Sequence, residues 1–128
     1  MISLQVSIKG DDRKEIGRII RDVTFGVEAE MKLEMTRPKS GREYPRQGRI
    51  HIASAPGEAP AVDTGFLINS IQTVIKSDYE AEIAIGAEYA EALEFGAGDI
   101  AARPFVRPAI DSVLKRFDSG GLLGDLRE

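Results

Sequence analysis

The sequence predicts a single α+β domain: a small antiparallel sheet packed by a long N-terminal helix and a shorter C-terminal helix, with a long Pro/Gly-rich loop between them. Three observations predict it. Apolar residues recur at helical spacing over residues 12–35 and again after Pro108, and at strand spacing in three short runs. The six prolines fall into two groups, Pro38, Pro45, Pro56 and Pro60, then Pro104 and Pro108, and regular structure is expected between and outside them. The 128 residues make one domain, and a chain of this size buries roughly two thirds of its unfolded surface, enough for a core without disulfide or metal.

In chain order, Ile2, Leu4, Val6 and Ile8 alternate with Ser3, Gln5 and Ser7, the period of a strand. Asp11 and Asp12 are N-cap candidates for a helix from about Asp12 to about Met35, whose buried stripe is Ile16, Ile19, Ile20, Val23, Val27 and Met31. Arg13, Lys14, Arg18, Arg21, Glu28, Lys32 and Glu34 give it a wet face. Gly17 and Gly26 each weaken it by up to about 1 kcal/mol relative to Ala, so packing must hold it. Residues 36–62 show no sustained periodicity and read as a long mobile loop; loops of that length in compact domains are usually functional. Pro56-Gly57 suits the centre of a type II turn, and Ala59 before Pro60 is pushed to extended geometry.

Asp63 then reads as the N-cap of a short helix, with Val62 and Leu67 as a hydrophobic staple. Ile71, Thr73 and Ile75, a turn at Ser77-Asp78, and Ala81, Ile83 and Ile85 form a hairpin with one apolar face. Tyr89 and Leu93, four apart, mark a brief helix that Gly96 ends. Pro108 suits the first position of the last helix, with Ile110, Val113, Leu114 and Phe117 on its inner face and Lys115 and Arg116 complementing its dipole. Gly120-Gly121 stops it, so the domain is residues 1–119 and residues 120–128 read as a flexible C-terminal tail.

Composition removes much chemistry. There is no cysteine and one histidine, so disulfides, thiolate nucleophiles and zinc sites of Cys or paired His are excluded by count. His51, in the loop, reads as a solvated side chain, with no serine in a recognisable nucleophile motif. Glu30-Met31-Lys32 spells the E-x-K fragment of some metal-dependent nucleases but falls inside a helix. The acidic pairs Glu28/Glu30, Glu80/Glu82 and Glu88/Glu91 lack EF-hand spacing, and Gly96-Ala97-Gly98 lacks a third glycine and a preceding strand. No enzyme, metal, cofactor or small-molecule substrate is expected. No apolar run is long enough to span a bilayer, and the polar start lacks the layout of a signal peptide, so a cytoplasmic chain is expected.

The net charge is −4, unevenly spread. Arg37, Lys39, Arg42, Arg46 and Arg49 stand against one acid, Glu43, over residues 37–51, a local +4 that leaves −8 elsewhere. Such a segment, with Tyr44 available for stacking, can meet phosphates or an acidic protein surface; a small nucleic-acid-binding module using residues 37–51 is therefore one reading.

A second reading comes from motifs. His51 to Gly65, containing Pro56-Gly57, Pro60 and Asp63-Thr64-Gly65, followed by Leu67, Asn69, Ser70 and Ile71, resembles the Pro-Gly-x-x-Pro, Asp-Thr-Gly-x-Leu and Asn-Ser-Ile blocks of a family of small tailed-bacteriophage proteins. These are its head-tail joining, tail-completion or tail-component proteins. Tyr89-Ala90 with Leu93-Glu94-Phe95-Gly96 is similar to the family's second block, and Arg103-Pro104-Phe105-Val106-Arg107-Pro108-Ala109 to its third. The blocks occur in the family's order over residues 51–110. Phe66 and Ile68 depart from it where basic or polar residues are frequent, as does Ala97 after Gly96.

The resemblance implies a structural virion protein made in the bacterial host cytoplasm. It would be a subunit of a ring, six-fold by family expectation, at the neck where head meets tail. Its partners would be itself and neighbouring neck or tail proteins, with possible non-specific contact with DNA in the channel. Residues 37–60 are then expected to be mobile in the free subunit and to order on assembly, as a long loop reaching a neighbour in a closed head-to-tail ring would.

Overall fold

The computed structural model describes residues 1–63, 65–118 and 125–127. The fold is α+β, as expected. Strands β1 (Ile2–Ser7), β4 (Ile71–Ile75) and β5 (Glu80–Ile85) form an antiparallel sheet in the order β4-β5-β1. Register explains its two faces. Ile2 pairs with Ile85, Leu4 with Ile83 and Val6 with Ala81, and across the other ladder Ile85 pairs with Ile71, so the alternating apolar residues of all three strands share one buried face. Gln5 and Glu82, paired on the opposite face, hydrogen-bond at 2.7 Å. A short β6 (Asp125–Arg127) pairs with β1 beyond it. Of the residues expected as a tail, 125–127 form this strand, and the remainder lies outside the described residues.

Helix α1 (Arg13–Thr36) lies across the apolar face. The Asp12 carboxylate accepts from the Glu15 N–H at 3.2 Å, the N-cap bond foreseen from sequence. Every member of the predicted stripe is buried, and Met35 joins it. Thr24 is also fully buried and donates its hydroxyl back to the Ile20 carbonyl, which satisfies it within the helix. Helix α4 (Val106–Asp118) packs on α1 through Ala109, Ile110 and Val113, and Arg116 reaches Glu30 of α1 at 2.7 Å. Gly26 is where they approach: a Cβ there would sit 3.6 Å from Val113 Cγ2.

Three expectations are corrected. The loop of residues 36–62 contains a β-hairpin, β2 (Glu43–Arg46) and β3 (Arg49–Ile52), turning at Gly48, whose φ is +68°. It is a separate two-stranded sheet. Its base is closed by Ala53 N–H to the Arg42 carbonyl and Gly41 N–H to the Ala53 carbonyl, both 2.9 Å. Alternation from that bond makes Pro45, opposite Ile50, a position that donates nothing to the ladder, which is why proline is tolerated there.

Second, α2 (Phe66–Asn69) is not capped by Asp63. Gly65, in the left-handed region at φ +85°, takes the N-cap position without a side-chain bond, while Asp63 turns to the hairpin. Val62 is exposed and lies too far upstream of this start to staple with the buried Leu67. Third, α4 begins at Val106, so Pro108 is its third residue rather than its first. Proline is accommodated there because first-turn N–H groups have no partner within the helix.

Candidate functional site

The three sequence blocks meet in space. At the first, the Pro56-Gly57 turn forms as expected, with Gly57 at φ +88° and Glu58 N–H bonded to the Ala55 carbonyl at 3.0 Å. Gly57 N–H then donates to the Ala102 carbonyl at 3.0 Å, and Arg103 Nε donates to Ser54 Oγ at 3.1 Å, docking the first block on the third. Buried Ala59 and Pro60 carry the chain from this turn. Arg103 N–H in turn donates to the Leu93 carbonyl of α3 (Ala90–Phe95), docking the third block on the second.

Glu94 completes that junction. This residue is only 5% exposed, and its carboxylate accepts backbone N–H bonds from Phe105 and Val106 at 2.8 Å and from Arg107 at 3.0 Å. These are the donors that the start of α4 leaves without helical partners, and an anion there is also favoured by the helix dipole. Gly96 ends α3 at φ +79°, as foreseen; a Cβ there would lie 2.9 Å from the Ile100 carbonyl oxygen. Pro104 delivers Phe105 into the core, where it is fully buried. Ser70 closes α2 by donating its hydroxyl to the Leu67 carbonyl at 2.7 Å, and its own carbonyl accepts from Gly86 N–H. Thr64 lies outside the described residues. The side chains of the blocks thus serve turns, caps and packing.

The basic segment is largely engaged within the chain. Tyr44, Arg46, Arg49 and His51 share one face of the hairpin by register, and that face turns to Asp63. Arg46 holds the carboxylate through Nε at 3.2 Å and Nη2 at 2.9 Å, Arg49 Nη2 lies 3.3 Å from it, and His51 Nδ1 3.7 Å. Hydrogen bonding from Arg46, first, holds the Asp63 carboxyl below its ordinary pKa. Arg46 also stacks over the Tyr44 ring at 5.6 Å, so that ring is already covered by a cation. His51 is 8% exposed, correcting the solvated reading: the hairpin lays it against Asp63 and Leu67, with which it lines one cavity. Arg37 pairs with Glu34 at 3.3 Å and Lys39 Nζ donates to the Glu34 carbonyl at 2.7 Å. Arg42 is exposed and makes no ion pair with a described residue.

Glu58 is an anchor that no motif or spacing in the sequence singles out. It accepts from Ser40 N–H at 3.1 Å, Ser40 hydroxyl at 2.8 Å and Ala55 N–H at 2.7 Å, tying the two ends of the hairpin segment together. Those bonds, led by the Ala55 and Ser40 amides, lower its carboxyl from 4.5 to about 2.

Two concavities flank the hairpin. A cavity of about 210 Å³ is lined by His51, Asp63, Leu67, Tyr89 and Leu93 among others. Adjoining it, and sharing Met35, His51 and Ile68 with it, an open groove of about 440 Å³ runs between residues 35–39 and β3, where Ile50 and Ile52 also line it. Among the described residues, no group of three or more His, Cys, Asp or Glu side chains is placed to hold a metal ion, and no helix is long and apolar enough to cross a membrane. Of the acidic pairs, Glu28 instead binds Lys32 and Thr73, and Glu30 binds Arg116. Comparison with protein-family models, with curated proteins and with solved structures finds no match for this chain.

Proposed function

We propose that this chain is a structural virion protein of a tailed bacteriophage or prophage, a non-enzymatic subunit of a ring at the neck that completes the tail and joins it to the head. The observation that carries the reading is the convergence of the three motif blocks. Residues 54–57, 93–96 and 103–107, which lie in the blocks that resemble the family's, are also bonded to one another through Arg103 and Glu94, with Gly57 bonded to Ala102 just before the third block. Residues that keep their spacing because they hold one junction together are expected of a subunit whose task is shape.

A second support is the hairpin. It stands off the main sheet with Ile50 and Ile52 exposed, a surface more readily explained by contact with another protein than by solvation. The engagement of Arg46, Arg49 and Tyr44 within the chain weakens the nucleic-acid reading correspondingly. The test is deletion of the gene in its phage or prophage, followed by electron microscopy. Full heads and separate tails are the expected particles, and complementation restores joined virions. Normal joined particles without the protein would refute the proposal.

A further inference from the structure

We propose that the exposed face of α3, with the turn after it, docks into the hairpin groove of a second copy of this chain. The contact joins two different surfaces, so it repeats head to tail. It rests on the ring reading above and names the surfaces that build the ring.

The groove supplies the first surface. Ile50, Ile52 and Val62 form its apolar wall, all exposed, Ile50 to 64%. Arg37, Lys39 and Arg49 rim it; Arg37 and Arg49 remain half-exposed beside their partners Glu34 and Asp63, and neither of those carboxylates lines the groove, so its rim stays positive. Apolar surface rimmed by one sign of charge calls for an occupant with an apolar centre and the opposite sign around it.

The same chain carries such an occupant. Between Lys76 and Arg103 there is no cation, and around α3 Glu88, Glu91 and Asp99 are exposed carboxylates, Glu91 lying 3.7 Å from the N-terminal amine. Within this run Phe95 is 63% exposed and Ile100 56%. Glu91 lies four residues before Phe95 on α3, so both project from one helix face, and Asp99 follows in the turn that the Ala97–Ile100 bridge closes. The result is an aromatic knob between carboxylates, and a groove of about 440 Å³ has room for a phenyl ring.

The two surfaces cannot meet within one subunit. Tyr89 and Leu93 are the residues through which the α3 region lines the cavity beside the hairpin, and at 100° per residue Phe95 points roughly 160° away from Leu93. Phe95 therefore faces away from its own hairpin. A contact between unlike patches repeats head to tail and closes as a ring where its rotation allows, as the ring reading requires.

The test uses the full chain, with sedimentation velocity and light scattering from low to high micromolar concentration at low salt. The wild type is expected to associate beyond a dimer, more weakly as salt screens the charged rim. Ile50→Glu and Phe95→Glu each remove one surface, and each is expected to lower self-association at least about tenfold. Mixed in equal amounts they form a one-to-one dimer and nothing larger, because each retains the surface the other lacks. Both positions are exposed, so circular dichroism should show unaltered folding; if either unfolds, Ile50→Ser and Phe95→Ser replace them. A wild type that stays monomeric throughout, assemblies that survive both substitutions, or a mixture that yields no dimer would each overturn the inference. A one-to-one dimer from a protein whose deletion leaves virions joined would refute the proposed function and leave this contact standing.

Discussion

Replacing Glu94 by alanine removes the partner of three backbone N–H groups at the start of α4. Phe105 and Val106 are fully buried, so their donors find no water in exchange, whereas Arg107 is exposed and its donor can turn to solvent. A hydrogen bond to a charged group contributes about 1.5–3 kcal/mol net, so two uncompensated losses cost about 3–6 kcal/mol. Against the roughly 5–15 kcal/mol that holds a domain of this size, that lowers the melting temperature by about 10–20 °C. Glu94→Gln keeps one acceptor oxygen but loses the charge facing the helix dipole, and should cost about 1–2 kcal/mol. Glu91→Ala is the control: its side chain is exposed, pairs only weakly with the N-terminus at 3.7 Å, and should change stability by less than about 0.5 kcal/mol. The assay is urea unfolding followed by circular dichroism, reading the midpoint at constant slope. If Glu94→Ala unfolds within about 0.5 kcal/mol of the wild type, the cap contributes nothing and the reasoning fails.

Gly26→Ala should stabilise the chain by about 0.5–1 kcal/mol, since the new Cβ meets Val113 at ordinary contact distance and the helix gains propensity; a loss of stability in thermal melts would contradict this. Gly41→Ala should cost about 1–3 kcal/mol, because its Cβ would lie 2.5 Å from the Ala53 carbonyl oxygen, a backbone atom that cannot swing aside; unchanged urea unfolding would refute it. Glu58 binds its amides as a carboxylate, so its contribution is complete above about pH 4.5 and is lost as the pH falls toward about 2. Amide chemical shifts of Ser40 and Ala55 should titrate together near that lower value; a midpoint at 4.5 would show that the bonds do not form in solution. Binding to duplex DNA should be weak: five phosphate contacts would give a log-log salt slope of about −4.5, whereas Arg42 alone gives about −1, and a measured slope steeper than about −4 would show that the other cations leave their partners.

The fold was legible where a buried face imposes a period. β1, α1, β4, β5 and the inner stripe of α4 each repeat apolar residues at the spacing of their element, because all pack into one core. The hairpin escaped because neither of its faces joins that core. Its four-residue strands alternate Tyr44, Arg46, Arg49 and His51 with Glu43, Pro45, Ile50 and Ile52, a weak pattern that includes a proline, and its turn is Gln47-Gly48 rather than Asn-Gly or Asp-Gly. The starts of α2 and α4 were misread for a related reason. Capping rules look three residues ahead, but Asp63 is drawn away by arginines 14 and 17 residues upstream, and the cap of α4 comes from Glu94, 11 to 13 residues before its donors.

The same distinction governs the candidate site. Counting charges along residues 37–51 finds a basic segment, but the acids that pair with it, Glu34 and Asp63, and Glu58, whose charge acts on Lys39, stand outside that window and reach it only through the fold. A segment that is basic in sequence is therefore less basic in space, keeping only a modest positive rim, and its exposed character passes largely to Ile50 and Ile52. Phosphate recognition needs cations free to displace counterions, whereas a protein neighbour needs apolar area with a charged rim to set register. By satisfying its arginines internally and leaving its isoleucines bare, the hairpin has the chemistry of the second.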